Sequence, residues 1–536
     1  MRPSMASRLR RSQRAGPLGL SLALLLTSAG PGPVFVPAAH AQAPVDNRNA
    51  LPSLGDSVSA DVSVAAERRL GDRIMRDIRR DPDYLDDPVL LDYLQEMWAG
   101  LIDASAARGN LPAELKERFA WELFLVRDRT VNAFALPGGY VGVHLGLIAM
   151  TVAPAELASV LAHELSHVTQ RHIARSFGAG KQATLVGLAG LILGVLAASR
   201  SPEAANALIT GGQAVSAQGQ LNFSRDMERE ADRVGFNVLT GAGYAPGGMA
   251  SMFEKLAQAS RLNDSQNFPY LRTHPLGSER IGEARSRLGV EAGAPVPRPL
   301  LYALMQARAR VLMDTREAAL QRVQEFGSER SVAGAATPAD KLGALYSGAL
   351  ASILRRDFGR ADAALALARP LVADEPAAAR VLDLLALENL IARGDAAGAT
   401  AAVEALRRMP AADESRALML AQARVALLPA AGAGVRAAAA DRLQTWVAVR
   451  RDDALAWGSL AQLWQQSGQP LRSVRAEAEA RAALGDVQGA LDRLRAGQRL
   501  ARTASQGTDF IEASVIESRL RELEARHREI VAEELG

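Results

Sequence analysis

The sequence predicts a mainly α-helical protein, in which an α+β domain with a small sheet precedes an α-helical solenoid of the tetratricopeptide (TPR) type. Strand-like segments cluster between residues 121 and 143, among segments with helical periodicity. Alanine, which loses no side-chain entropy in a helix, is abundant after residue 330. Pro376 and Pro410 close two successive units 34 residues apart, which is the TPR period.

The domain organisation follows from length and composition. A chain of 536 residues is long enough for about two to four domains, and 48% hydrophobic residues indicate a globular protein. The absence of cysteine excludes disulfides, thiol catalysis and cysteine-ligated metals, so any metal must bind to histidine, aspartate or glutamate. The predicted parts are a signal peptide at 1–41, a linker at 42–60, an α+β domain at 61–300, a connecting helix or linker at 301–337 and the repeat domain at 338–536.

The first 41 residues have the three parts of a secretory signal. Five arginines up to Arg14 form a positive start, an apolar stretch follows at 18–26, and Ala39-His40-Ala41 predicts cleavage after Ala41. A mitochondrial transit peptide, also rich in arginine, is the alternative. Cleavage removes five arginines and no acids, so the formal net charge falls from +3 to −2 and gives no reason to expect nucleic-acid binding.

Hydrophobic periodicity and turn residues predict the elements of the α+β domain. They are, in order, helices at about Val62–Arg80 and Asp87–Asp103, strands at Trp121–Val126, Thr130–Leu136 and Tyr140–Val143, and helices at about Pro154–Gly178 and Ser224–Thr240. Between the last two helices, the apolar segment Leu185–Ala198 has 14 residues, fewer than the ~20 that cross a membrane. A buried or interfacial helix is therefore expected there.

The repeat domain is predicted from turns and one short motif. Glycine and aspartate turns recur after residue 338, as expected within helix–turn–helix units. Trp457, Leu460 and Ala461 resemble the start of a TPR helix, whereas Ala430–Val435 interrupts the register. An irregular helical domain is the alternative to a TPR-like solenoid.

A metal-binding pattern lies in the helix that starts near Pro154. His163 and His167 are four residues apart, so both imidazoles share a helix face and can bind one cation. A catalytic zinc ion accepts neutral histidine nitrogens and keeps one position for water. Glu164 projects beside the pair and can accept the proton of that water. This is the H-E-x-x-H pattern of zinc hydrolases.

A third ligand is expected from the acidic helix that contains Glu228. Glu228 and Asp232 share a face, so Glu228 can ligate the metal while Asp232 accepts an N–H from a ligating histidine. Glu230 points away from that face and is expected in solvent. His172, on the opposite face of a continuous helix from His163, is interpreted as a packing or surface histidine. An ordinary charged helix face is the alternative for the acidic residues.

These motifs and the segment Asn132–Gly139 resemble the metallopeptidases related to CAAX prenyl protease and HtpX. The resemblance implies that residues 61–300 form a zincin-type, gluzincin-like zinc metalloprotease domain. It also implies one zinc ion per chain, with the ligands His163, His167 and Glu228.

The resemblance further assigns roles around the metal. Glu164 would be the general base, Asp232 would support catalysis by holding a ligand, and His274 would be a gating fourth ligand that keeps the resting enzyme inactive. Arg280 and a displaced His274 are candidates for stabilising the oxyanion. The expected substrate-binding edge consists of Asn132, Ala133, Phe134, Ala135, Gly138 and Gly139.

The secretory signal, Thr273-His274-Pro275 and the repeat tail are similar to those of periplasmic members that act in outer-membrane protein assembly. The implied function is a zinc metalloendopeptidase for unfolded or misassembled envelope proteins, whose TPR-like repeats bind the outer-membrane assembly machinery. A chaperone or scaffold with little proteolysis and a mitochondrial-type quality-control protease are the alternatives. Membrane-spanning segments of other branches are not evident, and peripheral membrane contact through Leu185–Ala198 is left open.

Overall fold

A computed structural model gives the fold for most of the chain. It describes residues 62–177, 224–262, 268–288, 298–328, 334–409, 415–503 and 509–535. The predicted signal peptide at 1–41, the linker at 42–60 and the apolar segment Leu185–Ala198 lie outside the described residues.

A four-stranded mixed sheet confirms the predicted small sheet. Its strands are β1 (Tyr84–Leu85), β2 (Glu122–Val126), β3 (Ala133–Leu136) and β4 (Tyr140–His144). The strand order is β1-β2-β4-β3, so β3 is an edge strand of this sheet. β2 and β4 are parallel, whereas β3 and β4 are antiparallel with Phe134 opposite Gly142. The hairpin turn between them needs Gly138 and Gly139, whose φ values of +79° and +89° disfavour other residues.

Helices surround the sheet. Those before the metal-binding pattern are α1 (Val64–Ile78), α2 (Pro88–Ala107), α3 (Ala113–Arg118) and α4 (Leu145–Met150). The N-cap residue Asp87 accepts the Leu90 N–H at 2.9 Å, and Pro88 occupies the first turn as predicted. α1 begins after Ser63, whose hydroxyl accepts the Ala66 N–H.

The metal-binding pattern lies on α5 (Pro154–Thr169), in which residues 155–169 are all buried. The predicted continuous helix to Gly178 is wrong, because α5 ends at Thr169 and a separate helix, α6 (His172–Phe177), follows. Arg171 between them has a φ of +51°, which no α-helix allows. Its guanidinium donates to Glu67 Oε2 at 3.0 Å and Val62 O at 2.5 Å, so contacts with α1 stabilise the break.

The acidic helix, α7 (Arg225–Gly241), packs against α5. Its N-cap is Ser224, whose hydroxyl accepts the Met227 N–H. A Cβ added to Gly235 would lie 3.1 Å from Ala162 O and from His163 N, so glycine allows α7 to approach the metal helix closely. The following helices are α8 (Gly247–Leu262), α9 (Tyr270–Thr273) and α10 (Ser278–Ser286).

The remaining described elements are all helices, as predicted. The helices are α11 (Leu300–Leu312), α12 (Glu317–Phe326), α13 (Pro338–Leu354), α14 (Phe358–Ala368), a 3-10 turn (Arg369–Val372), α15 (Pro376–Arg393), α16 (Ala396–Arg407), α17 (Arg416–Ala426), α18 (Ala433–Val449), α19 (Ala454–Gln466), α20 (Pro470–Ala483), α21 (Val487–Thr503) and α22 (Phe510–Leu535). Across the described parts of the chain, no helix is both long and apolar enough to traverse a bilayer.

One large hydrophobic core extends from the sheet and α5 into the later helices. Leu125 of β2, Leu161 of α5, Tyr302 of α11 and Leu385 of α15 belong to the same buried cluster. Within it, the buried Arg308 donates to Asp87 at 2.8 Å and to Glu388 at 2.9 Å, which joins α2, α11 and α15. The predicted division into domains at 300 and 338 remains a prediction.

Candidate metal centre

Two helices bring the predicted metal ligands together. α5 carries His163 and His167 on one face, and α7 carries Glu228 opposite them. The three side chains are at most 2% exposed. His274, the C-cap residue of α9, is the fourth member of a cluster whose ligand atoms all lie within 4.8 Å of one another.

The distances within this cluster suit a small divalent cation. The Nε2 atoms of His163 and His167 are 3.0 Å apart. Glu228 oxygens lie 3.5 Å from His163 Nε2 and 3.4 Å from His167 Nε2. Four ligand atoms arranged tetrahedrally at ~2.1 Å from zinc are roughly 3.4 Å from one another. Two imidazoles and a carboxylate therefore fit the ion that the sequence motif predicts.

His274 fills the space between these ligands and Glu164. Its Nδ1 is 3.0 Å from Glu228 Oε1, and its Nε2 is 3.4 Å from Glu164 Oε1. The ring stacks on Tyr270, with centroids 4.6 Å apart. Sequence reasoning missed Tyr270, whose only signal is a position one helical turn before His274.

Asp232 lies behind His163, as its spacing from Glu228 predicts. Its Oδ1 is 3.0 Å from His163 Nδ1, on the side of the ring away from the cluster. Arg280 donates to both Asp232 oxygens, at 2.6 and 2.8 Å, and is 2.7 Å from Glu228 Oε2. Arg280 also donates to Pro275 O at 2.8 Å, so it connects the acidic helix to the segment that carries His274.

The continuous helix that placed His172 opposite His163 is wrong, because α5 ends before this residue, although His172 is buried, as a packing histidine would be. α6 turns the side chain back, so that His172 Nδ1 lies 2.9 Å from His167 Nδ1 and the residue is fully buried. Glu230 is also not simply solvated as expected. It is half-buried, 3.0 Å from His172 Nε2, and accepts from Arg175 at 2.8 Å.

Burial and charge together set the protonation of the metal-free site. Burial lowers the pKa of His163, but Asp232 and Glu228 outweigh burial and raise it to about 9. Burial keeps the pKa of His167 well below the usual histidine value. For Glu228, burial is outweighed by His274, His163 and His167, which hold the carboxyl pKa far below its ordinary range. In the metal-free site, Glu228 is thus ionised beside a His163 that favours its protonated form, so a bound cation would take the place of that proton.

Glu164 has the properties of a proton acceptor. Burial raises the pKa of its carboxyl above the ordinary glutamate value. The Ala135 N–H of β3 donates to Oε2 at 3.0 Å, while Oε1 is buried without a hydrogen-bond partner among the described residues. One oxygen is therefore fixed, and the other can interact with a water molecule.

The expected substrate-binding residues lie in two places. Ala135, on the edge strand, contacts Glu164 directly. Asn132 directly precedes this strand, Ala133 and Phe134 are its first two residues, and the Phe134 ring packs on Phe124 with centroids 5.9 Å apart. Gly138 and Gly139 form the hairpin turn, where Gly138 packs against the backbone of Arg68 in α1. The turn conformation and close packing thus account for these two glycines.

Comparisons with known proteins agree with this geometry. A sequence model of peptidase family M48 matches residues 93–288. The beta-barrel assembly-enhancing protease of Yersinia pestis is 32% identical over 362 residues, which cover 68% of this chain and 70% of that protein. The Escherichia coli protein of the same name is 29% identical over 492 residues, covering 90% and 93%. A Vibrio cholerae relative is 39% identical over 261 residues, covering 48% of this chain and 51% of the relative.

Proposed function

The chain belongs to peptidase family M48 and is a metallopeptidase, and from this premise we propose that it is a periplasmic zinc endopeptidase for unfolded or misassembled envelope proteins. One observation carries the proposal. His163, His167 and Glu228 converge in a buried cluster, and the carboxylate of Glu164 lies at its edge. This is the arrangement that metal-assisted hydrolysis of a peptide bond requires.

Zinc is the proposed ion. The Nε2 atoms of His163 and His167 and a carboxylate oxygen of Glu228 would hold it, since this donor set is typical of catalytic zinc. When bound, zinc lowers the pKa of a water molecule towards ~7 and polarises a carbonyl oxygen. Asp232 contacts His163 and Arg280 contacts Glu228, and these contacts keep the two ligands oriented.

Glu164 is the proposed general base. Its Oε1 would accept the proton of the attacking water and then return it to the leaving amine. A raised carboxyl pKa suits this role, because the same group must hold the proton between the two steps. The Ala135 N–H keeps the carboxylate oriented through Oε2.

His274 is the proposed gate. Its ring stands between Glu228 and Glu164, where the reacting water would have to lie. Displacement of His274 would open this space, and Arg280 links the segment that moves to the acidic helix through Pro275 O. Because Arg280 is engaged by Asp232 and Glu228, it is a weaker candidate for the oxyanion than the displaced His274.

The proposed substrates bind as an added strand along β3. The edge of a sheet offers backbone hydrogen bonds that require no particular side chains, so extended segments of unfolded chains suit it. Asn132–Ala135 would form this edge. The name of the Yersinia and Escherichia relatives, beta-barrel assembly-enhancing protease, supports envelope proteins as the substrate class.

The helices after residue 338 are proposed to bind the outer-membrane assembly machinery as TPR-like repeats. Their consecutive packing, in which α19, α20 and α21 each contact the next, suits an extended binding surface. The signal at 1–41 supports export to the periplasm. The relatives favour proteolysis over a purely scaffolding role, because they are named as proteases.

The proposed function is tested by zinc content and cleavage in three proteins. Wild type should bind one zinc ion and cleave a denatured protein such as casein. His163→Ala should lose both properties. Glu164→Gln should keep the zinc but lose about 10²–10⁴-fold in cleavage rate, as expected for the loss of a general base.

Glu114→Gln is the control, since this exposed residue of α3 lies outside the cluster. It should match wild type in both measurements. Full activity of Glu164→Gln, or a wild-type protein without zinc, would contradict the proposal.

A further inference from the structure

His172 contacts the ring of His167 on the side away from the metal cluster. Its Nδ1 is 2.9 Å from His167 Nδ1, and its Nε2 is 3.0 Å from Glu230 Oε2. Arg175 donates to the same Glu230 oxygen at 2.8 Å. These contacts form a continuous chain of hydrogen bonds from His167 to the partly exposed Glu230.

The two predicted metal histidines are supported in different ways. A ligating imidazole usually donates its second N–H to a carboxylate, a carbonyl or water, and this bond fixes the ring and its tautomer. His163 has a carboxylate at this position, with Asp232 Oδ1 3.0 Å from Nδ1 as an ion-pair contact. At His167 the corresponding partner is another imidazole, that of His172.

We propose that His172 is the positioning residue of His167: it accepts the Nδ1–H of His167 at its own Nδ1 and thereby turns His167 Nε2 to the metal. The proposal rests on the proposed function, because it assigns a support to one of the metal ligands. Glu230 and Arg175 act one step further out, where they hold the ring of His172.

The proton positions follow from the hydrogen-bond order. If His167 binds the metal through Nε2, its Nδ1 carries the proton. His172 must then accept at Nδ1 and carry its own proton on Nε2. That N–H donates to Glu230 Oε2, which also accepts from Arg175. Each hydrogen bond between His167 and Glu230 then has one donor and one acceptor.

The break between α5 and α6 makes this contact possible. In a continuous helix, His172 would lie five residues after His167, about 140° round the axis from it. The positive φ of Arg171 redirects the chain, and the bonds from Arg171 to Glu67 and Val62 hold the new direction. Since His172 is 0% exposed, water is poorly placed to replace its ring nitrogen.

Two amide variants test whether a hydrogen-bond acceptor is needed at the position of His172 Nδ1, or whether any polar side chain is sufficient there. The side-chain oxygen of asparagine can take the position of histidine Nδ1, whereas the longer glutamine side chain reaches the position of Nε2. His172→Asn should therefore keep an acceptor for His167, and His172→Gln should keep only a partner for Glu230. His172→Leu removes both.

The measurements are the zinc dissociation constant, by competition with a chromophoric chelator, and the visible spectrum of the cobalt-substituted protein. His172→Gln and His172→Leu should bind zinc about 10–100-fold more weakly and change the cobalt spectrum. His172→Asn should remain within about threefold of wild type. Glu230→Ala should have an intermediate effect, because water can reach this half-buried position.

The outcomes separate this proposal from the proposed function. If wild type binds zinc and His163→Ala does not, while all His172 variants match wild type, only the positioning role is overturned. Equal weakening in His172→Asn and His172→Gln overturns it too, because the position of the acceptor would then not matter. A wild-type protein that binds no zinc overturns both.

Discussion

His274 and Tyr270 close the metal cluster on the side of Glu164. The stacked rings are both at most 2% exposed, and His274 contacts Glu228 and Glu164 at its two nitrogens. A histidine in this position can serve as a fourth ligand or as a block, and in either case it competes with the reacting water. Under the proposed gating role of His274, this arrangement corresponds to a closed form of the site.

Removal of this side chain should open the site. We expect His274→Ala to cleave denatured casein several-fold faster than wild type, because water and substrate no longer have to displace the ring. Zinc content should stay at one ion per chain, since three ligands remain. His527→Ala, on the last helix, is the matched control. An unchanged cleavage rate in His274→Ala would contradict the gate.

At this scale the sequence predicted that the side chains of His163, His167 and Glu228 converge, but it did not predict the contacts around them. The spacing of four residues was sufficient to pair His163 with His167, because a helix dictates which side chains share a face. The role of His172 depends on where α5 ends, and this end depends on Arg171 contacting Glu67, more than 100 residues earlier. No local pattern contains such a contact.

The contact between α5 and α7 determines whether the three ligands meet. At Gly235 the two helices are close together, because a Cβ there would lie only 3.1 Å from the backbone atoms Ala162 O and His163 N. Ligands on two separate helices converge only if the helix separation is right. Gly235 therefore affects metal binding although it touches no ligand side chain.

Gly235→Ala should weaken the packing of α7 on the metal helix. The new methyl group would lie 3.1 Å from backbone atoms that cannot rotate away, so we expect a loss of about 1–3 kcal/mol in the free energy of unfolding. Zinc affinity should fall as well. The control is Gly282→Ala on α10, where a Cβ meets nothing within 4 Å and a helical alanine should be neutral or stabilising. The free energies of unfolding are measured by denaturant titration. Equal values for Gly235→Ala and Gly282→Ala would contradict this interpretation.

Helices and strands were predictable where they have local signals. Asp87-Pro88 and Ser224 begin their helices as expected because capping is a local interaction. The short strand β1 was not predicted, since two residues form no periodic pattern and Tyr84–Leu85 is a strand only through pairing with β2. The same holds for the parallel pairing of β2 with β4.

Partly buried ion pairs connect distant segments of the described chain. Arg416 of α17 donates to Asp86, just before α2, at 2.6 and 2.7 Å. The same guanidinium donates to Asp453, the N-cap residue of α19, at 2.7 and 2.9 Å. This group joins the start of the metallopeptidase fold to the later helices.

The charge on Asp453 should make stability depend on pH. Burial opposes ionisation, but the bonds from Arg416 outweigh it, so the carboxyl pKa is below the ordinary 3.8. A lowered pKa contributes stability above pH 3.8 that is lost as the pH falls through the folded-state value. Asp453→Asn should be destabilised at neutral pH by about 3 kcal/mol and lose less on acidification, measured by urea melts between pH 7 and 3.

Its matched control is Asp452→Asn, at the exposed neighbouring position. This variant should follow the wild-type curve at every pH. If the free energy of unfolding changes with pH in the same way in wild type and Asp453→Asn, Asp453 is not the cause of the acid sensitivity.

The hydrophobic core that crosses residue 300 has a consequence for handling the enzyme. Tyr302 and Leu304 of α11 are at most 1% exposed, and the Tyr302 hydroxyl is 2.5 Å from Thr151 Oγ1, three residues before the start of α5. A fragment cut at the end of the M48 match would leave the apolar partners of α11 open to solvent. Such a fragment would tend to aggregate and to be degraded. The later helices are therefore needed for the metallopeptidase part to fold stably.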